Sequence, residues 1–303
     1  MVPLMDDATR DQQGARILIV DDEPLITARV AEMLAELGHV AVVAHDWSSA
    51  LQAYDHTIDL VLLDLIMPKV DGFKLARLVR ARGTIYTPIV FLTGRADDQA
   101  RQKALEAGGD DFLVKPISTL DLRVRVTAML RIRRLTEALH RQATVDALTG
   151  VGNRHALETA LQQRVAEGGR YRRPWSLALF DADHFKRVND EHGHEVGDDV
   201  LRAAGETFRT RIRTCDLAFR FGGEEFVVIL PETTGEGALV LAERLRAEFA
   251  RLSASTAAGA QTLSCGIAPV IEAGETAKAV LARADQALYR AKQEGRDRSI
   301  VAE

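Results

Sequence analysis

Five polar side chains in the N-terminal half each follow a short apolar run that is typical of a β-strand. They are Asp21, Asp22, Asp64, Thr93 and Lys115. In a parallel sheet the carboxyl ends of the strands meet at one edge, so this topology brings the five groups together. Three carboxylates repel one another unless a cation joins them, and hard oxygen ligands suit Mg²⁺. Asp64 is then a candidate nucleophile for a phosphoryl group whose oxygens Lys115 and Thr93 can hold.

The C-terminal half carries a second set of chemical groups around a predicted β-hairpin. Gly222 and Gly223 at the hairpin tip carry no side chain, so backbone and ligand can approach closely. Glu224 beside them and Asp181 at a predicted strand end are able to share a divalent metal. The cations able to neutralise a triphosphate are Lys186, Lys292 and Arg296.

Two further polar residues favour guanine as the base of such a nucleotide. Asn189 offers an amide and Asp198 a carboxylate, both groups that recognise the edge of a base. A carboxylate accepts hydrogen bonds from the N1–H and the exocyclic amine of guanine, whereas adenine offers no such pair of donors.

Each of these features has an ordinary structural explanation when it is taken alone. A single acid at a strand end is usually a cap or a solvated charge, and Gly-Gly in a hairpin is usually only a turn. Lys292 and Arg296, four residues apart, are typical of a solvated helix end. The ordered combination in each half is what favours a chemical role.

The elements that position the first set alternate between strands and helices. The predicted strands are Ile17–Val20, Ala41–Ala44, Leu60–Leu63, Ile89–Leu92 and Phe112–Val114. Helical patterns over Ile26–Leu37 and Phe73–Arg82 are each followed by a glycine. This order predicts right-handed βαβ units and an α/β domain with a doubly wound, five-stranded parallel sheet at residues 14–120.

The elements of the C-terminal half follow a different order. Its predicted strands are Ser176–Phe180, Leu217–Phe221, Phe226–Leu230 and Thr262–Ala268. Two of them flank Gly222-Gly223-Glu224-Glu225, which predicts a tight hairpin and excludes a purely parallel sheet. We therefore expect an α+β domain with a mixed or antiparallel sheet at residues 146–303.

Between the two halves, residues 121–145 contain neither glycine nor proline and predict a helical linker. Ala128, Ile132, Leu135 and Leu139 recur at heptad-like spacing, and arginines dominate the remaining face. A solvated surface helix and a two-stranded coiled coil between two chains both remain open, because the repeat covers only about two heptads.

Composition limits the class of protein. The 303 residues carry a formal net charge of −5, with 47% hydrophobic and 27% charged residues, which is ordinary for a globular chain of two domains. No apolar run reaches the roughly 18 residues of a membrane-spanning helix, and residues 1–10 lack the pattern of a signal peptide. The acidic balance argues against a nucleic-acid partner. With only two cysteines and no membrane partner predicted, we expect a cytoplasmic protein.

Across its whole length the N-terminal domain resembles the receiver domain of two-component response regulators. The resemblance rests on the five polar groups, on Phe112 at the family's aromatic switch position, and on Met67-Pro68-x-x-Asp71-Gly72 after the third strand. It implies that a cognate histidine kinase phosphorylates Asp64, with Mg²⁺ or Mn²⁺ held by Asp64, Asp21 and Asp22.

From Asp146 onward the chain resembles the GGDEF family of diguanylate cyclases. The matching motifs are Asp146-x-Leu148-Thr149-Gly150-x-x-Asn153-Arg154, the Asp181–Asp198 block, Gly222–Phe226, Ser264-x-Gly266-Ile267-Ala268, and Ala284-Asp285 through Arg296. The signature here is GGEEF, and Glu224 keeps the carboxylate that the family's Asp provides. Val151 stands where the family more often has Leu, and Asp297 replaces a frequent Asn.

The resemblance implies a role for each of these residues. Asp181, the Ala182 carbonyl and Glu224 bind Mg²⁺ or Mn²⁺, and Glu225 assists deprotonation of a hydroxyl. The substrate-binding residues that it implies are Phe185, Lys186, Asn189, Asp198, Gly222, Gly223, Lys292 and Arg296. Two GTP molecules, one on each subunit of a homodimer, condense to cyclic di-GMP and two pyrophosphates.

A further motif, Arg213-Thr214-Cys215-Asp216, begins nine residues before Gly222. At this offset it resembles the family's product-inhibition site, which implies that cyclic di-GMP binds to Arg213 and Asp216, with Arg244 as a secondary arginine. An arginine fork matches phosphate and stacks on guanine.

Two alternatives belong to other functional classes. A non-catalytic response regulator that senses GTP or cyclic di-GMP would keep the fold but lose hairpin or metal carboxylates, whereas Asp181, Glu224 and Glu225 are all present. A DNA-binding response regulator would need a helix-turn-helix output, for which the motif-bearing second half leaves no room.

Overall fold

The computed structural model describes residues 14–67, 72–82, 86–94, 102–103, 106–171 (backbone alone at 167–171), 173–270 and 274–303. These residues form two compact units, one ending at His140 and the other beginning at Arg141. Pro68 and Asp71 of the loop motif, and Gly83 after the second predicted helix, lie outside the described residues.

The N-terminal unit is built on a five-stranded sheet in which every pair of neighbouring strands is parallel. The strands are β1 (Arg16–Val20), β2 (Val40–Ala44), β3 (Leu60–Asp64), β4 (Ile89–Thr93) and β5 (Asp111–Val114). Their order is β2-β1-β3-β4-β5, so the chain reverses direction across the sheet between β1 and β3. Ligands of such sheets bind at the carboxyl ends of strands that flank this switch point.

Helices cover both faces of this sheet, as a doubly wound fold requires. They are α1 (Pro24–Glu36), α2 (Trp47–Ala53), α3 (Gly72–Arg82) and α4 (Thr119–Thr144). Leu75 and Val79 of α3 pack in one core cluster, whereas Leu34 of α1 and Val126 of α4 pack in the other. The local sequence starts two of these helices: a proline opens α1, and an Asp46–Ser49 capping box opens α2.

Helix α4 carries two apolar stripes with different surroundings. The first lies in the core of the N-terminal unit and comprises Leu122, Val126, Met129 and Leu130. The second is exposed and comprises Leu120, Val124, Ala128, Ile132, Leu135 and Leu139. We call this second set the α4 stripe; it contains the four residues whose heptad-like spacing the sequence shows.

The C-terminal unit contains a second five-stranded sheet, of mixed type. Its strands are β6 (Trp175–Ala182), β7 (Leu217–Gly222), β8 (Glu225–Pro231), β9 (Leu263–Val270) and β10 (Ser299–Val301), in the order β10-β9-β6-β8-β7. Strand β6 runs antiparallel to both of its neighbours, and β10 runs parallel to β9. The expected mixed sheet and the β7–β8 hairpin are both confirmed.

Among the described residues, five helices belong to this unit. They are α5 (Arg154–Tyr171), α6 (Phe185–His192), α7 (His194–Arg211), α8 (Gly235–Ser253) and α9 (Ala277–Gln293). Phe208 of α7 lies 5.0 Å between ring centroids from both Phe180 and Phe226. This aromatic trio packs α7 against the two central strands that carry the site residues.

Strand β10 was not among the predicted strands, since three half-buried residues carry no periodic pattern. Within the part of the chain that the structure describes, no helix has the length and apolar character needed to cross a bilayer.

Candidate functional site

The N-terminal unit brings its predicted acidic residues into one cluster. Carboxylate oxygens of Asp21, Asp22 and Asp64 all lie within 4.8 Å of one another. The Nζ atom of Lys115 lies 2.6 Å from Asp21 Oδ2 and 3.0 Å from Asp64 Oδ1. Four of the predicted groups therefore meet, as expected from the carboxyl ends of neighbouring parallel strands.

The strands explain how these groups are positioned. Asp21 directly follows β1 and Asp64 ends β3, on the two sides of the switch point. Buried Thr93 ends β4, and its carbonyl accepts a 2.7 Å hydrogen bond from the Lys115 N–H. Half-buried Phe112 of β5 packs against the core cluster below the site.

The charges of this cluster favour a cation. Burial raises the pKa of Asp64, Lys115 opposes the rise, and the carboxylates of Asp21 and Asp22 add to it. Burial acts to lower the pKa of Lys115, but its pairs with Asp21 and Asp64 outweigh burial and raise it. Three carboxylates against one ammonium leave an excess of negative charge, and an all-oxygen donor set fits Mg²⁺ or Mn²⁺.

The C-terminal unit assembles its candidate site where β6 ends beside the β7–β8 hairpin. Asp181, which is 7% exposed, lies opposite Glu225 of β8 in the sheet register. The N–H of Ala182 donates to the Glu224 carbonyl at 3.3 Å, which joins the hairpin turn to the strand end. Lys292 of α9 places its Nζ 2.8 Å from Asp181 Oδ2.

The hairpin tip presents bare backbone to open space. Gly222 pairs with Glu225, so the turn consists of Gly223 and Glu224. A Cβ atom added at Gly222 or Gly223 would meet no protein atom within 4 Å, and Gly223 has φ +49°. A ligand can therefore approach this backbone closely, as predicted from the two glycines.

Negative charge also accumulates at this site. Burial raises the pKa of Asp181, Lys292 opposes the rise, and Glu224 and Asp183 add to it. Burial likewise raises the pKa of Glu225, and the charges of Asp181, Asp285 and Glu224 contribute. Carboxylate oxygens with this excess charge fit a divalent cation, as in the N-terminal unit.

The residues expected to recognise a base lie on α6 and α7. A Cβ atom at Gly197 would lie 2.0 Å from Asn189 Oδ1, so only glycine lets Asn189 approach α7 this closely. Asp198 follows Gly197 on α7 and is half-buried. Buried Phe185 supports this contact, since its ring lies 3.3 Å from the same Cβ position.

The remaining predicted phosphate ligands lie on separate elements. Lys186 is exposed on α6, and Arg296 is half-buried in the loop between α9 and β10. An open cavity of about 410 Å³ adjoins the Asp181–Lys292 pair; it is lined by Glu225, Asp285, Gln286, Leu288, Tyr289, Arg290 and Lys292.

The predicted product site forms a turn after α7. The Arg213 N–H donates to Asp216 Oδ2 at 2.9 Å, and the Asp216 N–H donates to the Arg213 carbonyl at 3.0 Å. Arg213 is exposed, whereas Asp216 is 4% exposed. Arg244 of α8 reaches the same end of α7, where its Nη2 donates to the Arg211 carbonyl at 3.2 Å.

Arg220 is a residue that the sequence did not single out. Its Nε and Nη2 donate to the Gly223 carbonyl at 3.0 and 2.8 Å, and its Nη1 lies 3.2 Å from Asp146 Oδ1. The same Asp146 oxygen accepts a hydrogen bond from the Thr149 N–H at 2.9 Å. The signal in the sequence was a lone arginine within the apolar strand Leu217–Gly222.

Comparison with known proteins identifies the family of each domain. The family model "Diguanylate cyclase, GGDEF domain" matches residues 143–298, which is just over half of the chain. The chain belongs to the GGDEF diguanylate cyclase family. The model of the response regulator receiver domain matches residues 17–127, so both predicted resemblances are confirmed.

Individual relatives show the same two regions. Response regulator PleD of Caulobacter vibrioides is 35% identical over 304 residues, covering 96% of this chain and 66% of PleD. Diguanylate cyclase DgcP of Pseudomonas aeruginosa is 46% identical over 167 residues, covering 55% of this chain and 25% of DgcP. The chain thus spans slightly less than two thirds of PleD and a quarter of DgcP.

A solved structure resembles part of this chain. The coiled coil and GGDEF domain of DgcB from Caulobacter crescentus, in complex with c-di-GMP, has a TM-score of 0.54 at 33% identity. The matched region is 61% of this chain and the whole of the DgcB chain.

Proposed function

We propose that this protein is a diguanylate cyclase that condenses two GTP molecules into cyclic di-GMP and is controlled by phosphorylation of its receiver domain. The observation that carries the proposal is the meeting of Asp181, Glu225 and Lys292 beside the bare backbone of Gly222 and Gly223. It supplies anionic metal ligands, a candidate base, a phosphate-binding cation and room for a nucleotide.

Asp181, the Ala182 carbonyl and Glu224 are the residues that would hold Mg²⁺ or Mn²⁺. The bound metal polarises phosphoryl oxygens and stabilises the charge that develops on them. The excess of carboxylates over cations at the end of β6 supports this assignment.

The chain's own residues bind and orient the nucleotide in this proposal. The Asp198 carboxylate accepts hydrogen bonds from the guanine edge, and the Asn189 amide donates and accepts there, with Phe185 packed against the contact between Asn189 and α7. The triphosphate lies along Gly222 and Gly223 and is neutralised by Lys186, Lys292 and Arg296. Since Lys292 already pairs with Asp181, its ammonium is held where the phosphates meet the metal ligands.

The reaction is two nucleotidyl transfers. The 3′-hydroxyl oxygen of one GTP attacks the α-phosphorus of the other, a new ester bond forms, and the bond to pyrophosphate breaks. The hydroxyl proton passes to Glu225, whose raised pKa suits a general base. A second, identical transfer closes the ring and releases the second pyrophosphate.

Each cyclase domain binds one GTP, so two domains must face each other. Pairing two copies of the chain converts an encounter of two bound substrates into an oriented, effectively intramolecular step. The exposed α4 stripe supports a coiled coil between two copies, because four of its residues recur at heptad-like spacing outside the core: Ala128, Ile132, Leu135 and Leu139.

The receiver domain supplies the control. A histidine kinase transfers a phosphoryl group to the Asp64 carboxylate, with Asp21 and Asp22 as further ligands of Mg²⁺ or Mn²⁺. Lys115 and Thr93 then hold the phosphoryl oxygens, and Phe112 serves as the aromatic switch. The ion pairs from Lys115 to Asp21 and Asp64 support this arrangement.

Cyclic di-GMP also acts as an inhibitor in this proposal, through Arg213, Asp216 and Arg244. The exposure of Arg213 and the approach of Arg244 to the same helix end support a shared anion-binding surface.

The test measures conversion of GTP to cyclic di-GMP by the full chain at several protein concentrations, with and without beryllium fluoride as a phosphoryl mimic. We expect a rate that rises with beryllium fluoride and with concentration, and no such response to the mimic in Asp64→Asn. Glu225→Gln is the control, which we expect to bind GTP without forming product. GTP binding without cyclic di-GMP under every condition would instead identify a non-catalytic sensor.

A further inference from the structure

The loop that carries Arg296 has an unusual backbone. Arg296 has φ +61° and Asp297 has φ +47°, so two consecutive residues with side chains lie in the left-handed region. Residues other than glycine rarely adopt this conformation, and it persists only where surrounding contacts fix it. Gly295 precedes these two residues, so its conformational freedom does not remove the backbone strain at Arg296 or Asp297.

Arg246 of α8 supplies the first of these contacts. Its Nη2 donates to the carbonyl of Asp297 and lies 2.6 Å from Asp297 Oδ1. Its Nε donates to the Leu263 carbonyl at 3.0 Å, and its Nη1 pairs with Glu243. The Arg246 side chain is 11% exposed and is bonded to the loop, to β9 and to Glu243 of its own helix, so it is a fixed anchor.

Asp183 supplies the second contact to the loop. The Asp297 N–H donates to Asp183 Oδ2 at 3.2 Å. Asp183 is 3% exposed and accepts hydrogen bonds of 2.7 Å from the hydroxyls of Thr262 and Ser264. It directly follows Ala182, so the loop is tied to the strand end that carries the proposed metal ligands.

Half-buried Arg296 consequently belongs to a turn that is held in place by these contacts. Its N–H donates to the Ala291 carbonyl at 3.0 Å, which closes the turn onto α9 one residue before Lys292. The two proposed phosphate ligands, Lys292 and Arg296, are thereby fixed relative to each other and to Asp181. An arginine on an unbraced loop would lose more conformational entropy on binding a phosphate.

We propose that Arg246 and Asp297 are positioning residues that hold Arg296 against the triphosphate of bound GTP. We call the contacts of Arg246 and Asp183 with Asp297 the brace. The inference rests on the proposed function and states which part of GTP binding depends on the brace: binding of the phosphates depends on it, and recognition of the base does not. Neither residue contacts the nucleotide; each acts through the backbone of the turn.

Asp297 gives the brace a charge that an asparagine would lack. Asparagine adopts the left-handed conformation readily, so Asp297→Asn keeps the turn while it weakens the pair with Arg246. Arg246→Gln removes both bonds to Asp297 and leaves the turn with the Asp183 contact. The two variants therefore form a graded series.

Arg283 of α9 offers a matched control. It is half-buried, its Nη2 donates to the Pro269 carbonyl at 2.6 Å, and its Nε pairs with Glu275 at 2.7 Å. Like Arg246 it joins a carbonyl of β9 to a carboxylate, but its partners lie away from Arg296. Arg283→Gln thus reports the effect of losing such a contact on stability alone.

The experiment measures the affinity of the full chain for a non-cleavable α,β-methylene analogue of GTP and for GMP in Mg²⁺, together with the thermal midpoint. We expect Arg246→Gln to weaken binding of the analogue by about tenfold, the equivalent of one charge-assisted contact, and binding of GMP by less than about twofold. Asp297→Asn is expected to fall between Arg246→Gln and the unaltered chain.

Equal weakening of both ligands by Arg246→Gln, or the same pattern in Arg283→Gln, overturns the positioning role. If Arg246→Gln fails to fold, the inference is tested on Asp297→Asn with the same two ratios, which compare its affinity for the GTP analogue and for GMP with those of the unaltered chain. An unaltered chain that binds neither ligand overturns the proposed function as well. An unaltered chain that makes cyclic di-GMP beside variants with unchanged affinities overturns only this inference.

Discussion

Arg220 holds two distant stretches of the cyclase domain with one guanidinium. It bonds to the carbonyl of Gly223 in the hairpin turn and to Asp146, which is 74 residues earlier in the chain. Asp146 also accepts a hydrogen bond from the Thr149 N–H. The segment that follows is joined to β7 by a bridge between Gly152 and Phe219. The turn that carries Glu224 is therefore anchored from outside the hairpin, and its position depends on ion pairing at Asp146.

Asp146→Asn should make the stability of the protein less sensitive to acid. Burial acts to raise the pKa of Asp146, but the hydrogen bonds of Thr149 and the charge of Arg220 outweigh it, so the folded-state pKa is lowered. A lowered carboxyl pKa stabilises the fold above the unfolded-state value, roughly 3.9, and that stabilisation is lost as pH falls through the folded-state value.

Urea unfolding of the full chain between pH 3 and 7 tests this expectation. The unaltered protein should lose more stability than Asp146→Asn as the pH falls. Asp199→Asn, at an exposed position on α7, controls for removal of one carboxylate. Parallel pH profiles for the unaltered chain and Asp146→Asn would contradict the expectation.

Gly197→Ala should reduce the preference for guanine. The added Cβ would lie 2.0 Å from Asn189 Oδ1 and so displace the side chain proposed to recognise the base. The ratio of kcat/KM for GTP to that for inosine triphosphate, which lacks the exocyclic amine, measures this preference. We expect the ratio to fall by about tenfold, which is the worth of one or two hydrogen bonds.

Gly205→Ala is the control for Gly197→Ala, because it lies on the same helix and creates a comparable clash. Its Cβ would lie 2.2 Å from the Thr149 carbonyl, away from Asn189. Both variants should be less stable, but only Gly197→Ala should lose the preference; an unchanged ratio in Gly197→Ala would separate Asn189 from base recognition.

At the scale of elements, the sequence predicts the strands that a local pattern of apolar residues determines. The predicted strands of both sheets are observed, because alternating or continuous apolar runs bounded by turns mark them. Each extends the predicted range by one to three residues, except β9, which begins one residue later and ends two residues later than predicted. Strand β10 escaped this pattern, since its pairing with β9 arises only in the folded chain. The partnership of Arg220 with Asp146, and the brace on Arg296, are likewise tertiary and have no signature in spacing.

The sequence predicts helix α4 but does not predict which of its two apolar stripes is buried. Its two apolar stripes have similar spacing, and nothing local distinguishes the stripe that enters the core from the one that stays exposed. Leu122 and Val126 are buried, whereas Leu135 and Leu139 are 57% and 66% exposed. The exposed stripe is the face available to a second copy of the chain.

Replacing Leu135 and Leu139 together by lysine should weaken dimerisation. Like charges at a coiled-coil seam remove apolar burial and add repulsion, so the dimer dissociation constant should rise by about a hundredfold or more. Sedimentation equilibrium measures this constant, and Thr127→Lys, exposed on α4 outside the stripe, is the control. An unaltered dissociation constant would leave the α4 stripe without a role in assembly.

For the whole molecule, the proposed function makes the rate of synthesis depend on accumulated cyclic di-GMP as well as on the receiver domain. The turn of Arg213 and Asp216 is held by its own backbone and Asp216, which leaves the Arg213 guanidinium exposed. Removing that guanidinium should leave the turn intact while it removes the anion-binding group.

Arg213→Ala should therefore make turnover insensitive to added cyclic di-GMP. We expect the concentration that halves the rate to rise by at least about tenfold, as expected when an arginine–phosphate contact is lost. Arg202→Ala, which removes an exposed arginine of α7, should keep the inhibition of the unaltered chain. Equal inhibition of Arg213→Ala and the unaltered chain would remove Arg213 from the product site.

The open space around Gly222 has a consequence for how this protein can change over generations. An alanine there would meet no protein atom, and its backbone does not require a left-handed φ, so the fold bears no penalty for the substitution. The added methyl group would contact only a nucleotide bound at the hairpin tip. Under the proposed function, such a substitution would end synthesis of cyclic di-GMP without unfolding the domain, so loss of activity is an easier evolutionary step than loss of the domain.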